Sequence, residues 1–273
     1  MINLLKNGNV DMSNKAKIRE EIKYLNPMDD NLFSKMGEHK DFCRELVQII
    51  LKDTKIKVKS NQPQVTLKKL QGRSLLIDLE CILSNAVITN VEVQKENNAD
   101  HQRRVRYHGS MLTTNITDPS TDFKNIPNVI VIYITAFDVF SKKKTIYHID
   151  RVVRETQDTV DNGFNEIYVN SAVDDGSEIA LLMKYFVGKD VDMDKARKLF
   201  PNTVKLKEYY TNTEKGIEIM TDLVKKLVKE EEKQIREDTR REIVQNLKRE
   251  NLEISLIQKI SGWSIEKILD CPV

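Results

Sequence analysis

The sequence has few of the residues that build the commonest catalytic and structural sites. It contains three cysteines, four histidines and nine glycines among 273 residues. Cys43, Cys81 and Cys271 form no CxxC pair, which argues against a cysteine zinc site or a disulfide framework and suits a reducing compartment. The histidines form no HExxH motif, and no GxSxG elbow indicates a serine hydrolase.

Glycine-rich phosphate-binding loops are also missing. Neither GxGxxG nor GxxxxGK[ST] occurs, which excludes most enzymes that use nucleotide cofactors. No run of about twenty apolar residues is present, and the N-terminal stretch lacks the apolar segment of a signal peptide. We therefore expect a soluble, cytoplasmic protein without membrane association.

Charge of both signs is abundant. Charged residues make up 32% of the chain and apolar residues 40%, a globular composition that allows a substantial core. The net charge is only +2, so a surface that binds DNA has to be a local basic patch rather than a property of the whole chain.

The first third of the chain predicts helix followed by strand. Residues 1–25 are polar and charged and predict a flexible lead-in. Apolar spacing from Phe33 onward predicts one helix as far as Asp53. A loop is expected around Asn61, Gln62 and Pro63, and a β-hairpin over residues 75–94.

The middle of the chain predicts further helices and strands. A second helix should begin near Asp100, and the β-branched run at 126–137 is typical of a strand buried on both faces. Strands are expected at 145–153 and 165–173, and helix returns over 177–200. This order predicts a mixed sheet flanked by helices.

The C-terminal part changes in character beyond Tyr210. Residues 218–260 have strong helical propensity and alternating charge, which predicts one or two exposed helices, either solvated or coiled against a partner. Trp263 is expected to be a packing anchor, and Ser264 to cap a last short helix.

The predicted hairpin contains two carboxylates at an unusual spacing. If Ser84, Asn85 and Ala86 form the turn, counting back along both strands sets Asp78 directly opposite Glu92; a two-residue turn would shift this register. Like charges that face each other destabilise a ladder by up to about 1 kcal/mol. Either the face is solvated, or a cation lies between the carboxylates.

A hard divalent cation would suit two such carboxylates. Mg²⁺ takes oxygen ligands and keeps several waters, so Asp78 and Glu92 would be an adequate protein contribution. Gln94 shares the face of Glu92 and could orient a water or a phosphate oxygen. Lys95 is expected on the opposite face. Glu80 shares the Asp78 face, where it would support the site or be solvated.

The pattern D-x13-E-x-Q, followed by a basic segment that ends in Arg-Tyr, resembles the PD-(D/E)XK nuclease family transposases. Other stretches are similar to segments of the same family in the same order: NPMDDNLFSKM, RRVRYHGSML, IPNVIVIYITAFDVF, KKTIYHI and NLEISLIQKISGWSIEKIL. The resemblance covers roughly residues 25–270. It implies a restriction-endonuclease-like α/β fold, with a nuclease-like domain at 26–215 and a helical C-terminal extension at 216–273.

The resemblance also implies roles for individual residues. Asp78, Glu92 and Gln94 would be the catalytic residues. Asp78 and Glu92 would also bind the metal, and Gln94 would stand where the best-known nucleases have lysine. Arg104, Arg106 and Tyr107 would contact DNA. Asp30 falls on an N-terminal acidic position, although Glu38 or Glu45 could instead supply a helix carboxylate. His101 and His108 flank the basic run, but neither is predicted as a ligand or base, because surface histidines are common.

The function that this implies is metal-dependent hydrolysis of DNA phosphodiester bonds, with Mg²⁺ or alternatively Mn²⁺, linked to recombination or transposition. A homodimer through the C-terminal helices would suit cleavage of both strands. Two alternatives remain open: an inactive DNA-binding or assembly protein that keeps the fold, and a helical interaction module whose acidic hairpin is incidental.

Overall fold

The computed structural model describes residues 15–67, 75–97 and 100–272. Contacts between residues divide the chain into two compact units, Met1–Met220 and Thr221–Val273. None of the helices in the described stretches combines the length and apolar character that a membrane-crossing helix requires.

Within the described residues, the first unit starts with three helices followed by two strands. Their bounds are α1 Lys15–Ile22, α2 Asp30–Gly37, α3 Lys40–Leu51, β1 Val58–Leu67 and β2 Leu75–Leu83. Most of the predicted lead-in lies outside the described residues, but residues 15–25 depart from that prediction, because Ile18 and Ile22 of α1 are buried.

The predicted first helix is two helices in the structure. Glu38 closes α2 and His39 has an extended backbone (φ −99°, ψ 113°) before α3 begins. Gly37 explains the break, since its carbonyl accepts hydrogen bonds from Asn61 Nδ2 (2.7 Å) and Cys43 Sγ (3.3 Å) outside α2. The sequence prediction of one continuous helix was therefore wrong.

The predicted loop around Pro63 is also wrong, because residues 58–67 form strand β1. Pro63 pairs with Leu79 of β2, and β1 is the outermost strand of the sheet. A proline has no N–H to donate, and the outer side of an edge strand needs no donor. Of the polar residues that suggested a loop, Gln62 is exposed along this edge, whereas Asn61 is half-buried and donates to the Gly37 carbonyl.

The rest of the first unit contains further strands and helices. The bounds are β3 Ile88–Gln94, α4 His101–Ile116, β4 Val129–Thr135, β5 Ile146–Ile149, β6 Arg151–Val152, β7 Thr159–Val160, β8 Phe164–Asn170, α5 Glu178–Phe186, α6 Met193–Leu199 and α7 Pro201–Asn212. The predicted helix over 177–200 is thus two helices, and Gly188 (φ 70°) lies between them.

Six strands form one mixed sheet in the order β1-β2-β3-β4-β8-β5. The pairs β1/β2, β2/β3 and β8/β5 are antiparallel, whereas β3/β4 and β4/β8 are parallel. Strand β4 is buried on both faces, as its continuous apolar run predicts. Helix α4 packs on one face through Val105, Met111 and Leu112. The expected restriction-endonuclease-like α/β architecture is confirmed.

Helices dominate the C-terminal unit. Helix α8 spans Glu214–Arg249, followed by α9 Ile254–Ser261 and α10 Ile265–Leu269. Within the second unit Trp263 is buried in a small core with Val244, Ile257 and Ile268, and Ser264 Oγ accepts from the Lys267 N–H. The predicted packing anchor and helix cap are both confirmed.

Candidate active site

The hairpin turn sets the register of the site. Leu83 N donates to Val87 O (2.9 Å), and Ala86, with a left-handed φ of 63°, donates to Leu83 O (3.0 Å). This is the three-residue turn in which the last residue is left-handed. The ladder then pairs Ile82 with Ile88 and continues to Leu79 and Val91. The next position in this register brings Asp78 beside Glu92, as the sequence predicts.

Asp78 and Glu92 each bind the backbone of the other's strand. Glu92 Oε1 accepts from the Asp78 N–H (3.2 Å), and Asp78 Oδ2 accepts from the Val93 N–H (3.0 Å). These crossed bonds replace the backbone ladder at this point. Both carboxylates are therefore held in the gap between β2 and β3.

The Glu92 carboxylate is unusual because it is buried and only half satisfied. Glu92 is 1% exposed, and its Oε2 has no hydrogen-bond partner among the residues that the structure describes. A buried, unpaired carboxylate oxygen carries a large desolvation cost. This oxygen therefore lacks a hydrogen bond that would offset the cost of its burial.

The electrostatics of Asp78 reflect this crowding. Burial raises the pKa of Asp78 well above its ordinary value, and the neighbouring Glu92 raises it further. A hydrogen bond from Val93 and the charge of Arg104 act in the opposite direction without cancelling the rise. The site thus resists carrying two negative charges unless a cation joins it.

Asp30 belongs to the same electrostatic cluster. Its charge contributes to the raised pKa of Asp78. Although Asp30 keeps exposed surface, desolvation by the surrounding chain raises its own pKa, and Asp29 raises it further. Asp30 is the first residue of α2, so α2 brings a third carboxylate towards the hairpin.

The other helix carboxylates named from the sequence serve elsewhere. Glu45 accepts four hydrogen bonds, from the backbone N–H and side chains of Asn202 and Thr203 (2.7–2.9 Å). It therefore caps the start of α7. Glu38 pairs with Lys35 on the surface. Glu80 is half-buried opposite Asn90, and burial raises its pKa.

Gln94 and Lys95 lie at the end of β3. Gln94 Nε2 donates to the carbonyl of Glu96 (2.9 Å), which holds the amide close to the main chain. Lys95 makes an ion pair with Asp29, just before α2, and its charge lowers the pKa of Asp30 against the effect of burial. The structure therefore brings one lysine to the edge of the carboxylate cluster.

His108 is a site residue that the sequence did not predict. It is 2% exposed, and its Nδ1 lies 3.2 Å from Glu92 Oε1 and 3.4 Å from Asn90 Nδ2. Asn90 is fully buried. No spacing rule connects a helix residue with a strand residue 16 positions earlier, so only the packing of α4 on the sheet reveals this contact.

The sheet register supplies a second unpredicted residue, Tyr133. It pairs with Glu92 across β3 and β4, and its hydroxyl lies 2.9 Å from His101 Nδ1. Burial raises the pKa of Tyr133 to about 12. His101 is also buried, so the expectation of surface histidines was wrong for both His101 and His108.

Arg104 and Arg106 of helix α4 differ in their exposure. Arg104 is half-buried and lies close enough to influence the pKa values of Asp78 and Tyr133, whereas Arg106 is exposed. Tyr107 packs partly buried against the core beneath α4. The helix starts at His101, next to the position near Asp100 that the sequence predicts, and the side chain of Asp100 caps it by accepting from the Arg103 N–H.

A divalent cation fits this donor set in part. No group of three or more His, Cys, Asp or Glu side chains close enough to hold a metal occurs within residues 15–67, 75–97 and 100–272. Asp78 and the free Glu92 oxygen are hard ligands of the kind Mg²⁺ prefers, and Mg²⁺ commonly binds through one or two carboxylates plus water and substrate phosphate.

Comparison with known families gives an independent result. Residues 30–172, more than half of the chain, match the model described as PD-(D/E)XK nuclease family transposase. No curated protein and no solved structure matches the chain significantly. The matched range contains the hairpin, α4 and the whole six-stranded sheet. Helix α1 precedes the matched range. The chain belongs to the PD-(D/E)XK nuclease family transposases.

Proposed function

We propose that the protein is a Mg²⁺-dependent DNA endonuclease that acts in recombination or transposition, with Mn²⁺ as an alternative metal. The observation that carries this proposal is the buried, unpartnered Glu92 Oε2 beside Asp78, whose pKa is raised. A site of this kind stabilises a bound divalent cation more than a solvated hairpin would.

Each residue of the site would have a separate role in the reaction. Asp78 and Glu92 would hold the metal, which when bound polarises a phosphate and lowers the pKa of a water. Arg104 would face the phosphate backbone from α4, since a guanidinium binds phosphate through two parallel hydrogen bonds. Gln94 would orient a water or a phosphate oxygen beside the carboxylates.

Plasmid cleavage tests this proposal. The purified chain should nick or linearise supercoiled DNA with Mg²⁺ and lose the activity with EDTA. Asp78→Ala should be inactive, whereas Asp118→Ala, which removes an exposed carboxylate beyond the end of α4, should remain active. DNA binding without metal-dependent cleavage would instead favour an inactive DNA-binding or assembly protein.

A homodimer through the C-terminal unit is part of the proposal. Two exposed apolar pairs at i, i+4 spacing lie on the last helices: Leu256 with Ile260, and Ile265 with Leu269. Cutting both strands of a duplex requires two active sites, and a second copy would supply the other. Light scattering of the full chain should give the mass of a dimer, and Leu256→Ser with Ile260→Ser should reduce it to that of a monomer.

A further inference from the structure

The loop between β4 and β5 has three consecutive lysines, Lys142–Lys144, and a defined conformation. Asp138 accepts hydrogen bonds from the backbone N–H groups of Phe140, Ser141 and Lys143 (2.8–3.2 Å). The Tyr147 hydroxyl donates to Asp138 (2.7 Å) and accepts from Lys142 N and Lys144 N (3.3 and 3.1 Å). One carboxylate and one phenol therefore organise the whole lysine loop.

Two residues of this loop have a strained backbone conformation. Ser141 and Lys143 both have a φ of 55°, in the left-handed region that residues with a side chain rarely adopt. Burial alone would raise the pKa of Asp138, but the hydrogen bonds from Tyr147 and the loop backbone bring it below its ordinary value. The ionised Asp138 therefore holds a strained backbone in place.

All three lysine side chains point outward without a partner. Lys142, Lys143 and Lys144 are exposed, and none forms an ion pair with any residue that the structure describes. Elsewhere lysines commonly pair with carboxylates, as Lys95 does with Asp29 and Lys184 with Asp174. The loop is a concentrated positive charge in a protein whose net charge is only +2.

The sheet register places this loop on the face of the candidate active site. Glu92 pairs with Tyr133, Tyr133 with Tyr168, and Tyr168 with Tyr147, so these four side chains share one face. They lie on β3, β4, β8 and β5, which are neighbouring strands. Three strand spacings separate Glu92 from Tyr147, about 14 Å.

Aromatic contacts fix the loop to that face. The Phe140 ring packs at 5.0 Å from Tyr168 and 4.9 Å from Tyr147, and Phe137 packs at 4.7 Å from His101 at the start of α4. The lysine loop therefore lies beside the helix that carries Arg104, and its distance from Glu92 is set by packed rings rather than by a free linker.

We propose that Lys142–Lys144 form a second DNA-binding element that binds the phosphate backbone beside the cleavage position. The inference rests on the proposed nuclease function and extends it to the way in which the substrate is held. The separation of about 14 Å between Glu92 and Tyr147, whose hydroxyl holds the lysine loop, corresponds to about four base-pair steps along a duplex, so one bound DNA could contact both the carboxylates and the loop. The contacts are to phosphates and carry no base specificity.

The test is the salt dependence of DNA binding, measured in EDTA with a short duplex of random sequence. The variant is K142Q/K143Q/K144Q. The matched control is K55Q/K57Q/K59Q, which removes the same charge from exposed positions. Lys57 accepts a hydrogen bond from Ser84 N in the β2–β3 turn, so the control lies at the end of the sheet away from Glu92.

The lysine-loop variant should bind about tenfold more weakly near 0.1 M salt, and its slope of log K against log salt should be shallower by about 2 to 3. The control should keep the wild-type slope, and K142R/K143R/K144R should restore both values. A wild-type slope in the lysine-loop variant, while the wild-type chain still cleaves plasmid, would overturn this inference alone. A wild-type chain that neither binds nor cleaves DNA would overturn the proposed function as well.

Discussion

Glu92 Oε1 lies 3.2 Å from Nδ1 of His108, and both residues are at most 2% exposed. Helix α4 thereby fixes one oxygen of a buried carboxylate, while its second oxygen remains free of partners in the described structure. A histidine that orients a metal-binding carboxylate without contacting the metal is a positioning residue. The contact links the fold of α4 directly to the geometry of the site.

The first prediction concerns this positioning. His108→Leu should lower kcat for DNA cleavage by at least about tenfold, because Glu92 loses the 3.2 Å contact that fixes its side chain. The dissociation constant for DNA should change little, since His108 is on the buried face of α4. His108→Gln, which keeps an N–H donor, should recover part of the rate.

Stability provides the second readout for His108. Removing a partner from a buried carboxylate costs about 1–3 kcal/mol in the free energy of unfolding. Denaturant titration of both variants measures this. If His108→Leu cleaves DNA at the wild-type rate, the contact with Glu92 has no role in positioning.

The second prediction concerns the repulsion between Asp78 and Glu92. In EDTA, Asp78→Asn should melt no lower than wild type and is expected to melt higher, because the amide removes one of two facing charges. Mg²⁺ should stabilise the wild type by RT ln(1 + [L]/Kd), about 2.7 kcal/mol at one hundred times Kd. The variant should gain little from Mg²⁺ and should not cleave DNA.

Thermal melts of both proteins, with Mg²⁺ and with EDTA, make this measurement. A solvated hairpin without a metal would show almost no effect of Mg²⁺ on melting and little change from the substitution. Cleavage at the wild-type rate by Asp78→Asn would show that the assignment of the site is wrong.

The third prediction is a pH dependence with a definite sign. The folded pKa of Asp78 is raised above its ordinary value by burial and by the neighbouring Glu92, so the folded state binds this proton more tightly than the unfolded state does. Ionising Asp78 therefore destabilises the folded state. This loss of folding free energy is absent below the unfolded pKa and is fully present above the folded pKa. In EDTA the free energy of unfolding contributed by Asp78 should therefore fall as pH rises through that window.

Subtracting the pH profile of Asp78→Asn isolates this contribution. The difference between wild type and variant should grow with pH and then level off. Equal profiles would mean that Asp78 titrates alike in the folded and unfolded chain.

The hairpin could be predicted from the sequence because its rules are local. Side chains alternate along a strand, and a three-residue turn then fixes which residues face each other, so Asp78 and Glu92 followed from counting. The continuous apolar run of β4 likewise identified a strand buried on both faces.

The remaining features depend on tertiary context. Pro63 and its polar neighbours are typical of a loop, but they are tolerated in β1 because that strand is at the edge of the sheet. His108 and Tyr133 reach Glu92 only through helix packing and strand pairing, and neither contact leaves a signal in spacing. Burial of these side chains is a property of the folded sheet rather than of the local sequence.

The fourth prediction tests the junction between α7 and α8. A glycine in a helix is normally less stable than alanine by about 1 kcal/mol. At Gly216, however, an added Cβ would lie 1.9 Å from the carbonyl oxygen of Tyr209. This oxygen is a backbone atom, so no change of side-chain rotamer can relieve the clash. Gly216→Ala should therefore destabilise the protein by at least about 1–3 kcal/mol, the usual cost of overpacking.

Lys215→Ala is the matched control, because Lys215 is the exposed neighbour on the same helix. Its free energy of unfolding should stay within about 0.5 kcal/mol of wild type. Denaturant unfolding of both variants gives the comparison, and a stabilising effect of Gly216→Ala would show that α7 and α8 are not in this close contact.

The fifth prediction distinguishes the roles of Arg104 and Arg106 on α4. Arg104 is half-buried and influences the pKa of Asp78, whereas Arg106 is exposed two positions further along the helix. Arg104→Gln should therefore lower kcat at saturating DNA, because its charge is close to the carboxylates where the phosphate would react. Arg106→Gln should leave kcat unchanged and weaken DNA binding equally for all sequences.

The two substitutions remove the same charge from the same helix, so each is the control for the other. Arg106→Gln should reduce the slope of log K against log salt by about 0.9, the value for one lost phosphate contact. The double variant R104A/R106A should weaken binding and flatten the salt dependence further. Unchanged affinity and slope in the double variant would exclude α4 from the DNA interface, and equal losses of kcat in the two single variants would mean that Arg104 has no special relation to the carboxylates.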